Sequence, residues 1–434
     1  MALSPDNERQ RGSVLLALPV CVFSQMFSVL RYGAGSTLRL DWPENVQVAE
    51  CGTPAQPPLA DLTGAVAAAL AEPLDYPPLR RVITPADRVV LALEEGVPRA
   101  ADVVAAVIGC MIQSGVDPAG VTVLRTQGDA ARGVQDPCRS LPAPLGRDVT
   151  VVTHDPRNRE RLAYLASSDR GNPIFLNRAI VDADVVLPIG CLGNHQTAID
   201  HGIHGAVFPA FSDEKTLQRF RSAESHDARR PRKKPRGQEC DEVGWLLGLN
   251  FAIQLVPGPG DDVLHVLAGH FAAVRRRAAE LYEAAWSWSV PRRASLVVAA
   301  IEGTAPQQTW QNVGRALGAA MPLVEDGGAI ALCCELADEP GPAVRRLADS
   351  PSREAALRQI SEECPVDALA AVQMAAALEH ADLYLLSRLD ESLVEQLQMA
   401  PLAKPQELVR LVRRFDSCIV LGNAQHARVT VVED

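Results

Sequence analysis

The chain has 434 residues, 47% of them apolar and 22% charged, with a formal net charge of −11. This length exceeds one ordinary hydrophobic core, so we expect two domains. The acidic balance argues against a general nucleic-acid-binding protein, and the sequence has no run of ~18 apolar residues, the length that a transmembrane helix needs.

The first half of the chain alternates strand-like and helix-like segments. Short apolar runs predict strands, and helical spacing of apolar residues before Gly115 predicts a helix. This β-α-β order is typical of a parallel sheet covered by helices. In chain order we predict a strand at 14–23, a strand at 88–93, a helix at 100–114 and strands at 121–124, 174–181 and 184–189.

Residues 222–240 interrupt this pattern with six basic residues between Arg229 and Arg236 and two prolines. Such a run can be a nucleic-acid arm or a localisation signal. Because the rest of the chain is acidic, we interpret it as an exposed basic loop between elements.

The second half predicts another strand-helix series. We expect a long helix at 265–285, a strand at 294–301, a helix at 310–321, strands at 329–335 and 382–386, and a helix from Pro405 that leads to a strand at 417–421. The fold class is therefore α/β, with two domains of mostly parallel sheets flanked by helices and a cleft between them. We place the domains at residues 1–288 and 289–434, with the boundary near 286–293.

The ten cysteines lack the paired spacing of a zinc site or of a disulfide scaffold. Cys333 and Cys334 lie in an apolar run and are expected to be buried. We therefore predict reduced cysteines in a cytoplasmic protein.

Residues 164–209 read YLASSDRGNPIFLNRAIVDADVVLPIGCLGNHQTAIDHGIHGAVFP. This stretch resembles the core of the nickel-pincer lactate racemase family, which often shows G-T-P-V-Y-L-N-R-x-V-x-x-A-D followed by I-G-x-x-x-x-H. Blocks in the same order lie elsewhere, at residues 32–35, 77–79, 154–155, 310–317 and 327–328. No one block is specific, but their order over about four hundred residues carries the resemblance.

The resemblance implies interconversion of the two hands of a 2-hydroxy acid. In the family, a nickel-bearing pyridinium cofactor takes hydride from the substrate carbon while a histidine removes the hydroxyl proton, and a second histidine serves the other face. Histidine suits this task because its pKa lies near neutral pH. His195, in the segment 190–209 that corresponds to the catalytic loop, matches one of these bases, and Asp129 stands where the other is expected.

Several positions depart from the family pattern. Gly205 occupies the position of the lysine that tethers the cofactor, and Arg221 falls close to that of a nickel-ligating histidine. The resemblance makes Arg99, displaced by one position, the candidate for the substrate-carboxylate arginine. In the second domain Gln311 is kept, and Arg315 stands beside Gly314, the position of a family lysine. The resemblance with these changes implies that a nickel-pincer nucleotide would bind without a covalent bond, at His204 and Gly205.

His195, Asp200, His201 and His204 fall within ten residues, a spacing that can hold a transition metal. His201 and His204 are the candidate metal ligands, and a loop of hydrogen-bonding histidines is the alternative.

Three functions follow from these observations. The first is an isomerase of a small 2-hydroxy acid with an altered site, in which His195 and Asp129 act on the substrate and Arg99, Gln311 and Arg315 anchor it. The second is a catalytically inactive protein of the same fold that binds a small molecule. The third is a metal-dependent activity built on the three histidines.

Overall fold

The computed structural model describes residues 22–23, 26–131, 136–193, 203–221 and 235–432. The strands are β1 (Val22–Phe23), β2 (Phe27–Tyr32), β3 (Ser36–Asp41), β4 (Gln47–Cys51), β5 (Val89–Leu93), β6 (Val121–Arg125), β7 (Thr150–Thr153), β8 (Leu162–Ser167), β9 (Pro173–Asn177), β10 (Val185–Cys191), β11 (Phe251–Pro257), β12 (Val263–His270), β13 (Ser287–Val290), β14 (Ala294–Ala300), β15 (Val324–Cys333), β16 (Asp382–Leu386), β17 (Ala400–Pro401), β18 (Ser417–Leu421) and β19 (Arg428–Val431).

The α-helices alternate with these strands over most of the chain. They are α1 (Leu62–Ala71), α2 (Ala100–Gln113), α3 (Gln127–Ala131), α4 (Ala143–Asp148), α5 (Arg178–Val181), α6 (Glu214–Arg221), α7 (Pro235–Leu246), α8 (Phe271–Trp286), α9 (Trp310–Ala320), α10 (Pro342–Asp349), α11 (Arg353–Glu363), α12 (Ala368–His380), α13 (Glu391–Gln396) and α14 (Pro405–Leu411). Among the described residues, no helix is both long and apolar enough to cross a bilayer.

The N-terminal sheet has six strands in the order β12-β11-β10-β5-β6-β7. All neighbours are parallel except β11 and β12. Every residue of β5 is buried, as expected for a central parallel strand covered on both faces. The chain runs from β5 to β6 and β7 on one side, then returns to β10 and β11 on the other. The strand order therefore reverses between β5 and β10.

The C-terminal sheet has seven strands in the order β1-β4-β18-β14-β15-β16-β17. Its strands are parallel except for β1, which pairs antiparallel with β4. The predicted division assigned residues 1–288 to the first domain, and β4 departs from it because this strand pairs with β18. An early strand of the chain thus completes the C-terminal sheet, which confirms the predicted α/β class of mostly parallel sheets.

Three other local predictions are wrong. The segment 174–181 was predicted as a strand, but β9 ends at Asn177 and α5 (Arg178–Val181) follows it. The segment 265–285 was predicted as one helix, but its first part lies in β12, antiparallel to β11, and α8 begins at Phe271. The basic loop predicted at 222–240 ends earlier, because α7 begins at Pro235. Residues 222–234 of that loop lie outside the described residues.

The cysteines also differ from the prediction at one position. Cys333 and Cys334 are buried and free, as predicted, and six further described cysteines are free thiols. Cys51 is disulfide-bonded, so the prediction of reduced cysteines is wrong there.

The connection between β18 and β19 holds the two sheets together at their carboxyl edges. Asn423 Oδ1 accepts a hydrogen bond from the Gly260 N–H at 2.8 Å, and Asn423 Nδ2 donates to Glu302 Oε1 at 2.8 Å. Gly260 follows β11 of the N-terminal sheet, and Glu302 follows β14 of the C-terminal sheet. The loops that follow β11 and β14 therefore both hydrogen-bond to the side chain of Asn423.

Candidate functional site

The candidate site lies where the strand order reverses between β5 and β10. Open α/β sheets bind ligands at the carboxyl ends of strands at such a switch point. Glu94 follows β5 directly, and the backbone N–H of Cys191, the last residue of β10, donates to Glu94 Oε2 at 3.0 Å. With its amide oxygen turned toward β10, Gln254 accepts from Leu192 N at 2.9 Å. The ends of three adjacent strands are thereby joined.

Glu94 is surrounded by protein yet keeps part of its surface accessible, as expected on the floor of a cleft. Burial raises the pKa of Glu94 to about 7, and the negative charges of Glu95 and Asp129 act in the same direction. The Cys191 N–H and the Arg315 charge oppose this effect. A carboxyl group with a pKa near neutral pH can both accept and donate a proton.

Arg315 brings a positive charge to this cleft from α9, which follows β14 of the C-terminal sheet. Its Nη1 donates to Asn312 Oδ1 at 2.9 Å. Its enclosed Nε has no hydrogen-bond partner, and none of the described carboxylates forms a salt bridge with it. Because Arg315 is half-buried and its Nε lacks a hydrogen-bond partner, this arrangement suits an anionic ligand.

Glu95 and Asp129 form the wall beside β6. Gly96 N donates to Asp129 Oδ1 at 3.3 Å, and Thr126 Oγ1 donates to Glu95 Oε2 at 3.5 Å. A Cβ on Gly128 would lie 2.6 Å from Glu95 Oε1, so glycine gives this carboxylate its space. Asp129, the predicted counterpart of His195, is buried in this wall.

Arg221 reaches the same wall from the end of α6. Burial lowers the pKa of its guanidinium, while the charges of Glu214 and Glu95 act to raise it. The position expected to carry a nickel-ligating histidine therefore carries a cation that faces two carboxylates.

The other predicted substrate anchors differ in their surroundings. Gln311 lies one turn before Arg315 on α9, so both side chains share a helix face. Gln311 forms no hydrogen bond to any described residue. Arg99 begins α2 in a left-handed conformation, with φ 50°, and its Nε donates to Asp102 Oδ2 at 2.9 Å. Its ion pair with Asp102 is thus local, and no contact brings Arg99 to the cleft floor.

His204 is buried beside α7, and its carboxylate neighbour is not Glu94, Glu95 or Asp129. Its Nδ1 lies 3.1 Å from Asp241 Oδ1, and its ring lies 4.6 Å from that of Phe271. Gly205 is part of the same short 3₁₀ turn, Ile203–Ala206. Within the described ranges no group of three or more His, Cys, Asp or Glu side chains is arranged to hold a metal ion. His195 and His201 lie outside the described residues.

Three residues that the sequence analysis missed complete the floor on the α8 side. Tyr282 and Trp286 lie on α8, and His426 follows β18, with its ring tilted against that of Trp286 at a centroid distance of 5.1 Å. The hydroxyl of Tyr282 donates to the His426 carbonyl oxygen at 2.7 Å. The one available signal was the position of His426 just after a predicted buried strand.

Comparison with known proteins agrees with this geometry. Residues 32–230 match the family model described as the lactate racemase N-terminal domain. Over these residues, slightly less than half of the chain, the sequence is similar to the lactate racemase N-terminal domain. No curated protein matches the sequence.

Solved structures extend the likeness to most of the chain's length. The lactate racemase apoprotein from Thermoanaerobacterium thermosaccharolyticum is 17% identical with a TM-score of 0.73, and the match covers 93% of this chain and 100% of that one. A protein from Thermotoga maritima is 13% identical with a TM-score of 0.57, and the match covers 85% of this chain and 97% of that one. At these identities the likeness shows the fold.

The residues present do not fit a covalently held nickel-pincer cofactor. Gly205, at the position expected for the tether, has no amine to form a bond to it, and Arg221, close to the position expected for an imidazole ligand, is a permanently charged group. The Arg221 guanidinium also faces Glu95 and Glu214. The expected metal-ligand position therefore already holds a cation that interacts with these two carboxylates.

Proposed function

We propose that this protein is a member of the lactate racemase family that binds a small 2-hydroxy acid in the cleft between β5, β10 and α9 and isomerises it at the hydroxyl-bearing carbon. The observation that carries the proposal is the pair formed by Arg315 and Glu94. Arg315 is a half-buried cation without a carboxylate partner among the described residues, and Glu94 is a carboxyl group with a pKa of about 7 on the same cleft floor. The first suits a substrate carboxylate and the second suits a hydroxyl proton.

In this proposal each side chain has a separate role in binding the substrate or transferring its proton. Arg315 binds the carboxylate, Gln311 on the same helix face donates to the substrate, and Glu94 accepts and returns the hydroxyl proton. His195 and Asp129 remain the proposed bases for the two opposite faces of the substrate, with Glu94 on the side of Asp129. Such side chains hold anions and move protons but do not accept hydride. We therefore place the hydride acceptor outside the polypeptide, as a pincer nucleotide bound without a covalent bond.

A second candidate is a binding protein without catalysis. Gly205 and Arg221 favour it, because they replace the two groups by which the family holds its cofactor. This candidate keeps the Arg315 anion site and predicts binding of the same acids without interconversion.

We also propose a cytoplasmic protein whose partner is a small molecule and not a nucleic acid. The net charge of −11 and the eight free described cysteines support this proposal. The disulfide at Cys51 is the observation against it. Cell fractionation tests the location, and recovery in a secreted or membrane fraction would contradict it.

The test of function compares wild type with Arg315→Gln and with Arg276→Gln, a control on the exposed face of α8. Calorimetry measures binding of both hands of several 2-hydroxy acids, and chiral chromatography measures their interconversion, with protein made with and without the pincer biosynthetic enzymes. We expect R315Q to weaken binding at least tenfold and R276Q to leave it unchanged.

The outcomes separate the candidates. Interconversion by wild type supports the isomerase. Binding without interconversion in either preparation supports the binding protein. Absence of binding to every acid by wild type contradicts both.

A further inference from the structure

His426 is held rigidly at the edge of the cleft floor. Its ring packs at a tilt of 51° against Trp286, and its carbonyl oxygen accepts from the Tyr282 hydroxyl at 2.7 Å. The Trp286 indole N–H in turn donates to the Pro257 carbonyl oxygen at 2.9 Å, at the end of β11. The ring is therefore fixed by elements of the N-terminal sheet, although His426 itself follows a strand of the C-terminal sheet.

The Nε2 nitrogen of the His426 ring has no hydrogen-bond partner in the part of the chain that the structure describes. His426 is 9% exposed, and its enclosed Nε2 has no hydrogen-bond partner among the described residues. The Nε of Arg315 is enclosed and unpartnered in the same way. Leaving one buried polar group unsatisfied costs roughly 1–3 kcal/mol, so each of these nitrogens indicates a missing hydrogen-bonding group.

The two groups act on one another. Burial lowers the pKa of His426 to about 3, and the Arg315 charge contributes to this effect. His426 is thus neutral over the physiological range and carries a single N–H, while Arg315 is permanently charged. Arg315 also lowers the pKa of Glu94, so its charge faces His426 and the cleft carboxyl group alike.

We propose that His426 is a second substrate-binding residue, whose Nε2–H donates to one oxygen of the carboxylate that Arg315 binds through its other oxygen. The inference rests on the proposed function and adds to it a neutral donor from the β18–β19 connection. A carboxylate has two oxygens and accepts hydrogen bonds from a cation and a neutral donor together. A buried water molecule is the competing occupant.

The experiment uses ¹⁵N-histidine-labelled wild-type protein, titrated with 2-hydroxy acids and with the matching acids that lack the hydroxyl group. The Nε2 resonance of His426, assigned by its loss in His426→Gln, is followed to saturation. We expect it to move to a hydrogen-bonded position with both kinds of acid, because the carboxylate is the group bound.

Binding to His426→Phe and to the control His380→Gln is measured alongside by calorimetry. We expect H426F to raise Kd at least tenfold with no change in pH dependence between pH 6 and 8, and H380Q to leave Kd unchanged. An Nε2 resonance that stays still at saturating acid assigns the position to water and overturns the inference, whether or not the variants fold. If R315Q still loses binding in that case, the proposed function stands. If no acid binds wild type, both fall.

Discussion

Glu94 and Cys191 are joined across the point where the order of the N-terminal sheet reverses, by a hydrogen bond of 3.0 Å from the Cys191 N–H to the Glu94 carboxylate. The carboxylate thereby holds the end of β10, four residues before His195 in the sequence. Because burial raises the pKa of Glu94 to about 7, the acceptor in this hydrogen bond changes from a neutral carboxyl group to a carboxylate as pH rises through neutrality.

The first prediction concerns stability against pH. The folded-state pKa of Glu94 lies above that of an unfolded glutamate, so folding favours the protonated form. Its contribution to the free energy of unfolding is complete below about pH 4.5 and is lost as pH rises through about 7, with an upper estimate of about 3 kcal/mol. Glu94→Gln keeps an oxygen that can accept from Cys191 N but has no proton to lose. We expect it to flatten this part of the stability profile, measured by denaturant unfolding from pH 4.5 to 8.

Glu302 provides the comparison for this experiment, because burial raises its pKa to about 7 as well. Glu302→Gln should remove a separate portion of the same slope, and the double variant should remove both. A Glu94→Gln profile that follows wild type throughout would contradict the protonation assigned to Glu94.

The second prediction concerns the space around Glu94. A Cβ at Gly190 would lie 2.7 Å from Glu94 Oε2 and 3.2 Å from Gln254 Oε1. Gly190→Ala should displace both side chains, destabilise the fold by about 1–3 kcal/mol and weaken acid binding at least tenfold. Gly109→Ala is the matched control, because its Cβ meets nothing within 4 Å inside α2 and should stabilise by about 0.5–1 kcal/mol. Unchanged acid binding by G190A would show that Glu94 does not line the binding cleft.

Much of the scaffold was predictable because buried strands and amphipathic helices have strong local signals. The strands at 382–386 and 417–421 were predicted at their observed limits, and the helix at 100–114 ends one residue earlier than predicted. The segment 265–285 was mistaken because β12 is a short apolar strand, which composition alone does not distinguish from the first turns of a helix. Pairing of β4 with the C-terminal sheet is a long-range contact without a local signal.

The site was predictable only in part. Asp129 and Arg315 were named as candidates by resemblance, and Glu94 directly follows the strand predicted at 88–93. His426 was missed because its role depends on the packing of Trp286 and Tyr282 from a distant helix. The family position of Arg99 gave no warning that Asp102, three residues later on α2, would bind its guanidinium.

The third prediction concerns α6, which carries Arg221. Arg219 on this helix donates to both carboxylate oxygens of Glu239 on α7, each at 2.6 Å, and Glu239 is only 2% exposed. Breaking a buried pair leaves an uncompensated charge, so Glu239→Gln should cost about 3 kcal/mol, the lower end of the usual range because Arg219 is 32% exposed.

The exposed pair of Arg358 and Glu354 on α11 is the control for this substitution. Glu354→Gln should change the free energy of unfolding by less than about 0.5 kcal/mol. Equal effects of E239Q and E354Q in urea unfolding would show that α6 and α7 are not joined through this pair.

The last prediction concerns the cofactor. Gly205 has no amine, so wild-type protein made with the pincer biosynthetic enzymes should show the intact mass of the polypeptide alone. Nickel measured on the same native sample reports separately on a cofactor held without a covalent bond. Gly205→Lys restores the amine, and adding Arg221→His replaces the cation beside Glu95 by an imidazole. If the missing lysine alone prevents the covalent bond, the mass of G205K increases by that of the cofactor. If the Arg221 charge also excludes the cofactor, only the double variant shows this increase. A cofactor-sized mass increase on wild type would instead mean that another residue forms the bond, and the assignment of Gly205 to the tether position would be wrong.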